Sequence, residues 1–195
     1  MNKNVFDNAS ISGDASIYGN ARVYDNAVVS GNASISGDAV VYDNASISGN
    51  ASISGKAVVY DNASIYDKAR VSGNARVSGN ASVSGNAVVS GYASVFGNAS
   101  VSGNASIAGD AIISDNAVIE KNSDYLVVGP AASSGRYTTA YKDSVIGVRV
   151  NCGCFSGTVK EFAAAIEETH KDNPQFLKQY RLFVRLIADN FDVEM

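Results

Sequence analysis

From Asn2 to Lys121 apolar and polar positions recur with a period of six, through twenty consecutive units without an insertion or a deletion. In a unit such as Asn44-Ala45-Ser46-Ile47-Ser48-Gly49 the fourth place is always valine or isoleucine, from Val5 to Ile119, and the second is alanine in all nineteen units from Ala9 to Ala117. Ala and Val/Ile stand two apart, so in an extended segment they share one side while places three and five share the other. Places six and one are mostly Gly-Asn, Gly-Asp or Asp-Asn, residues that turn a chain at low cost. The pattern predicts four-residue strands joined by sharp corners, with Ala and Val/Ile inside a polygon and Ser, Arg, Tyr or Val outside. One hexapeptide cannot bury its own aliphatic side chain, so the units must stack.

The first 121 residues are rich in Ser, Gly, Asn and Asp, a composition that often accompanies disorder. An aliphatic residue at every sixth place argues against that, because a disordered polar tract has no reason to keep one. The units resemble the hexapeptide-repeat family, whose left-handed parallel β-helix has triangular coils of three hexapeptides. That resemblance covers about three fifths of the chain. It implies six to seven coils, and a prism roughly 30 Å long at ~4.8 Å per strand.

With three sides, residues eighteen apart stack directly. Phe6, Tyr24, Tyr42, Tyr60 and Phe96 then form one ladder, interrupted only by Ser78, beside a column of Asp7, Asp25, Asp43 and Asp61; the other two faces carry mostly serine. A contiguous apolar strip is uncommon on a free surface, so this face is expected to be covered. Related β-helices are commonly trimers, and the resemblance implies a homotrimer with Phe6, Tyr24, Tyr42, Tyr60 and Phe96 at its interface.

The period stops at Asn122, which divides the chain into a repeat region (1–121) and a small α+β tail (122–195). Tyr125-Leu126-Val127-Val128 before Gly129-Pro130 reads as a strand ended by a turn. Arg136 to Tyr141 and Val145 to Val150 read as two more, joined at Lys142-Asp143-Ser144, giving a three-stranded antiparallel sheet. Ile146, Val148, Val150, Cys152 and Cys154 share one parity, so both cysteines are expected on the aliphatic side. Thr158-Val159-Lys160-Glu161 is a capping box, followed by a stripe of Val159, Phe162, Ala163, Ile166 and His170. Asn173-Pro174 opens a second helix with Phe176, Leu177, Tyr180, Phe183, Val184, Ile187 and Phe191 inward. Leu182 and Leu186 lie off that stripe, which points to a second buried side against the prism or another subunit.

Charge narrows the partners. Lys and Arg number seven against ten Asp and Glu up to Lys121, and eight against nine beyond it. Neither part has the basic excess that a nucleic-acid duplex partner would need. No apolar run is long enough to span a bilayer and the start lacks a secretory apolar region, so membrane association is not expected and a cytoplasmic location is; two cysteines fit it.

Two constellations carry chemistry. The Gly129-to-Thr139 segment combines small residues whose N–H groups can converge on an anion, the hydroxyls of Ser133, Ser134, Thr138 and Thr139, the phenol of Tyr137 and the guanidinium fork of Arg136, which suits phosphate. Ser133, Ser134, Arg136, Tyr137, Thr138 and Thr139 are therefore the candidate ligand-binding residues, and a phosphorylated small molecule the candidate ligand. Cys152 and Cys154 with His170 form the one thiol-plus-imidazole set; as a metal site it is one ligand short of closed zinc coordination, and alternate strand residues on an apolar side are usually core. Within the repeats, the acyltransferases of the resembling family use a histidine base and loops extruded from the coils, and this chain has neither. No catalytic residue and no cofactor are therefore expected.

The tail, in its Val150-to-Thr158 segment and its Glu168-Thr169-His170 helix end, resembles the C-terminal domain of hexapeptide-repeat proteins encoded by phages and prophages of gut bacteria. That resemblance implies an accessory viral role in the host cytoplasm, including capture of immune-signalling nucleotides. The leading expectation is a non-catalytic oligomeric binding protein. The alternatives are a protein-interaction scaffold working through the aromatic face and an acyltransferase-like enzyme.

Overall fold

The computed structural model describes residues 4–131 and 135–194. Nineteen two-residue strands, β1 at Ser10–Ile11 to β19 at Val118–Ile119, fall at places three and four of successive units. Each of the first sixteen pairs in parallel with the strand three further on, as Ser46 with Ser64 and Ile47 with Ile65. The strands thus form three sheets of seven, six and six, a three-sided parallel β-solenoid of about six turns. The expected four-residue strand is shorter because the corner reaches inward from both ends: Ala45 donates to the Tyr42 carbonyl across it at 3.3 Å. The ladder nevertheless continues through the corner. The N–H groups of Asn44, Ser46 and Ser48, at places one, three and five, all donate to the next coil, to Asp61, Ala63 and Ile65 at 2.9 Å.

The inward places are fixed by packing. Val23 to Ile119 at place four are 0% exposed throughout, and Ala21 to Ala117 at place two no more than 1%. Place six has positive φ, 67° at Gly49, and a Cβ there would meet the Asp67 nitrogen of the next coil at 2.8 Å. Aspartate replaces glycine at this place in some units, and at Asp61 and Asp67 its carboxylate finds a donor on the next coil. Asp61 Oδ2 accepts the N–H of Gly79 at 2.9 Å and Asp67 Oδ2 that of Gly85 at 3.1 Å, donors the backbone ladder leaves over. On the corner that holds Asp61, the residues Asn8, Asn26, Asn44, Asn62, Asn80, Asn98 and Asn116 link side chain to side chain in one unbroken amide ladder.

The tail holds four antiparallel strands: β20 (Tyr125–Val128), β21 (Thr138–Asp143), β22 (Gly147–Cys152) and β23 (Phe155–Thr158), in that spatial order. The expected three-stranded sheet lacked β23. The expected turn is also displaced, because Asp143 ends β21 instead of turning: its Oδ1 accepts the N–H groups of Val145 and Ile146 and its Oδ2 binds Arg149 Nε at 2.7 Å. Helices α1 (Val159–Thr169) and α2 (Pro174–Phe191) begin at the predicted caps, with Thr158 and Glu161 exchanging bonds and Asn173 accepting from Phe176.

The sheet is a partition. Tyr125, Val127 and Tyr141 pack on the solenoid core, while Leu126, Ala140, Val148, Val150 and Cys152 join Phe162, Ile166, Tyr180, Val184 and Ile187 of the helices on the other side. It closes the last coil, whose N–H groups have no further coil to meet. Ser106 donates to Asn122 Oδ1 at 2.8 Å, Ile112 to Thr139 Oγ1 at 3.1 Å and Ser114 to the Tyr141 hydroxyl at 3.3 Å. Capping in this way covers the C-terminal edges at β17 and β18, and the isolated bridge between Ala117 and Asp143 lies next to β19. Leu182 and Leu186 do not pack on the prism as one alternative had it; they are 59% and 50% exposed, since α2 lies across the sheet from the solenoid.

Candidate functional site

The tight turn between β22 and β23, Gly153-Cys154, overhangs the side of the prism built by Ser94–Val95 and Ile112–Ile113. A cavity of about 660 Å³ opens between them, with Tyr92, Asp110 and Ile112 on the prism side and Arg136, Tyr137 and Cys154 on the tail side. A second cavity of about 400 Å³ shares Ser94, Ile112, Gly153 and Cys154 with the first and extends to Phe96, Asn151 and Phe155. Together they form one groove whose lining mixes the aromatic Tyr92, Phe96, Tyr137 and Phe155 with Ile112 and the polar Ser94 and Asn151.

Of the six residues singled out for ligand binding, Arg136 and Tyr137 face this groove and are exposed. The Arg136 guanidinium lies over Gly153, where an added Cβ would stand 2.8 Å from Nη1. Ser133 and Ser134 lie outside the described residues. Thr138 and Thr139 do not border the groove: both are buried, at 0% and 1% exposure. Thr139 caps Ile112 and the Thr138 hydroxyl donates to Cys152 Sγ at 3.2 Å, so strand pairing and capping have used their polar atoms. Sequence reading missed the prism half of the groove, Tyr92 and Asp110, although Tyr92 is the one place-one residue in the repeats that is not Asn, Asp or Lys.

Beneath the groove lies a polar knot. The Tyr141 hydroxyl is 2.8 Å from Ser114 Oγ; Asn151 Nδ2 donates to that hydroxyl at 2.9 Å and to Ser114 Oγ at 3.0 Å. Burial pushes the Tyr141 phenol above its ordinary range, against its bonds to Ser114 and Asn151. At the rear edge burial also works to raise Asp143, but Arg149 and the Val145 and Ile146 N–H groups outweigh it and leave the carboxyl below its usual range. Asp124 behaves alike, with Lys142 at 2.6 Å and the N–H groups of Glu120 and Lys121 overcoming burial.

The aromatic ladder is continuous where the tyrosines are. Tyr24 and Tyr42 stack at 5.1 Å with planes 8° apart, and Tyr42 and Tyr60 at 5.1 Å and 3°. All three are half-buried, whereas Phe6 and Phe96 at the ends are 46% and 41% exposed. Val40 and Val58 stand beside them on the same sheet, with Arg22 before and Arg76 after. Phe96 belongs to the ladder and to the groove.

The shared-parity reading of the cysteines fails at Cys154. Strand β22 ends at Cys152, which is half-buried among the helix-facing residues, and Cys154 sits in the turn, exposed. His170 follows α1 and stacks on Tyr180 at 4.8 Å. Both cysteines and His170 line a small pocket of about 170 Å³ with Phe155, Phe162 and Tyr180. Among the described residues no three His, Cys, Asp or Glu side chains gather as a metal site.

Two stretches, residues 15–31 and 69–85, match the family model of the YdcK beta solenoid repeat. The matched segments are part of the prism, so the likeness is one of repeat fold and does not reach the tail. No curated protein matches the chain. Among the described residues no helix is long and apolar enough to cross a membrane.

Proposed function

We propose that the chain is a non-catalytic binding protein whose groove between prism and tail takes a phosphorylated small molecule of the nucleotide class. The observation that carries this reading is the placement of a guanidinium, Arg136, on the rim of an open groove between two exposed tyrosines, Tyr92 at 67% and Tyr137 at 37% exposure. Arg136 supplies a charge-assisted fork for phosphate, the phenol rings offer faces on which a base stacks, and Asp110 accepts hydrogen bonds from sugar hydroxyls or an exocyclic amine. Capture of a host signalling nucleotide in the host cytoplasm follows from this chemistry together with the phage-protein resemblance of the tail.

Calorimetry with mono-, di- and cyclic nucleotides tests it. Losing the Arg136 contact forfeits about 1.5–3 kcal/mol, so Arg136→Ala weakens binding by roughly one to two orders of magnitude. Native mass spectrometry of the purified protein reports any co-purifying ligand and the subunit count together. No binding to any of the panel refutes the ligand class.

A second reading, an interaction scaffold, rests on the stacked Tyr24, Tyr42 and Tyr60 with Val40 and Val58 beside them. In it the face packs against two further copies of the chain as a homotrimer and displays three tails. The two readings are compatible, since the groove lies at the end of that ladder.

A further inference from the structure

The Cys152-Gly153-Cys154 turn has work to do that neither packing nor the proposed ligand contact uses. Cys152 pairs with Phe155 across a two-residue turn, so Gly153 and Cys154 are its two central residues. Gly153 has a φ of 62°. Two virtual bonds of about 3.8 Å limit the separation of the flanking Cα atoms to about 7 Å, and a turn draws them nearer, into the range that a disulfide spans. Both residues border the same small pocket. Cys154 is exposed and Cys152 is half-buried, with the Thr138 hydroxyl donating to its sulfur at 3.2 Å. An accessible thiol beside a sheltered partner whose sulfur receives a hydrogen bond is the arrangement of an attacking and a resolving cysteine.

The turn also forms part of the groove. Cys154 borders both cavities of the groove as well as the pocket on the helix side, and Gly153 is the residue over which Arg136 lies. A bond across Gly153 therefore changes the surface that supports the guanidinium.

We propose that Cys152 and Cys154 are a redox-active dithiol, closed by low-molecular-weight disulfides such as glutathione disulfide, and that closure reshapes the groove beneath Arg136. The Cys154 thiolate attacks one sulfur of the small disulfide, forming a mixed disulfide and releasing one small thiolate. The Cys152 thiolate then attacks the Cys154 sulfur and releases the second. Two protein thiols are oxidised to one disulfide, one small disulfide is reduced to two thiols, and the two protons lost go to the released thiolates. The dithiol itself is independent of any ligand, whereas a regulatory meaning for it rests on the groove reading above.

The test is equilibration of the whole protein in graded mixtures of glutathione and its disulfide, with alkylation of free thiols and intact-mass measurement. The wild type is expected to lose two hydrogens and both alkylation sites together, without dimer formation. Cys152→Ser stops at a glutathione adduct on Cys154, and Cys154→Ser leaves Cys152 largely unmodified. A wild type that stays at the adduct, or stays reduced in excess disulfide, overturns the proposal. Amide hydrogen exchange across Gly135 to Tyr137, read in reduced and oxidised protein without ligand, is expected to differ; identical exchange overturns the coupling to the groove. A protein that binds no nucleotide and still shows both changes refutes the ligand reading and leaves this one standing.

Discussion

Removing the Tyr141 ring should uncouple the tail from the prism and let the last coils open before the middle ones. Among the described residues Tyr141 is the largest fully buried side chain, at 0% exposure, and it packs at the end of the aliphatic core. Tyr141→Phe deletes only the hydroxyl. Asn151 Nδ2 still reaches Ser114 Oγ at 3.0 Å, and Ser114 Oγ still donates to Asp115 at 2.8 Å. The group left without its partner is the buried N–H of Ser114, so the cost is about 1–3 kcal/mol. Tyr141→Ala adds a cavity of ring size against Val and Ile side chains that cannot collapse, because each is held by the coil above, and aromatic-to-alanine changes of this kind cost about 3–5 kcal/mol. Hydrogen exchange should show the loss locally. Amides of Ser106, Ile112 and Ser114, whose bonds cap the last coil, gain exchange by roughly the full penalty, while those of Ser46 and Ser64 stay protected. Uniform loss across all coils would mean that prism and tail unfold as one unit. Equal effects of the two substitutions would mean that the ring does not fill the core.

Ile47→Asp places an unpaired charge in the prism interior and should cost several kcal/mol, whereas Ser48→Asp, one residue on and facing outward, should leave the melting temperature nearly unchanged; equal effects would reverse the inside and outside assignment. Tyr42→Lys with Tyr60→Lys should keep the β-sheet circular dichroism but lower the mass in light scattering, and an unchanged mass would remove the ladder from any interface. Asp124 and Asp143 have folded values below the ordinary 3.8, so the stability they contribute is present above that value and lost as pH falls through the lower folded one. Acid titration by near-ultraviolet circular dichroism should therefore show the docked tail loosening only in strongly acid solution, and loosening near neutrality would assign the dock to other groups.

The prism was legible because its information is local and repeated: Ala45 and Ile47 must face in wherever the chain extends, and the next coil supplies the same pair eighteen residues on. Two-residue strands instead of four change the length of an element and not its place. The tail was legible only where a signal is local, as at Thr158-to-Glu161 and Asn173-Pro174. Strand β23 escaped because Phe155-Ser156-Gly157-Thr158 has no alternation of its own and is a strand by virtue of pairing with Arg149 to Cys152. Parity placed Val148, Val150 and Cys152 correctly and failed at Cys154, because alternation holds only inside a strand. Thr138 and Thr139 look like ligand residues in sequence for the reason that makes them good caps: a short hydroxyl satisfies whatever polar group it meets. Which face of β21 meets the solenoid depends on docking against residues almost thirty positions earlier, such as Ser114, and no local pattern contains it.

The repeat constrains function as strongly as fold. From Ala9 to Ala117 the inward places carry only Ala, Val or Ile, and place six up to Asp115 only Gly or Asp, which tolerate a left-handed backbone, so along that stretch chemistry can be written only at places one, three and five. Most of those places hold Ser and Asn, which suffice for a ladder. Departures from them are the positions where something other than the scaffold selects the residue. One set, Tyr24, Tyr42 and Tyr60, repeats at the coil period and stabilises its own column as well as offering a face. Another group is gathered by position: Tyr92 at a corner, Phe96 at the end of the ladder and Ile112 at place three fall within two coils of the end, all bordering the groove under Arg136 and Gly153. Tyr92 takes a corner place that Asn, Asp or Lys fills in every other unit, and its ring is 67% exposed. A residue that gives up a ladder position to stand in solvent beside a guanidinium contributes little to the stack. Tyr92→Asn, which restores the repeat, is therefore the substitution that separates scaffold from site: it should leave stability equal or raised while weakening whatever the groove binds.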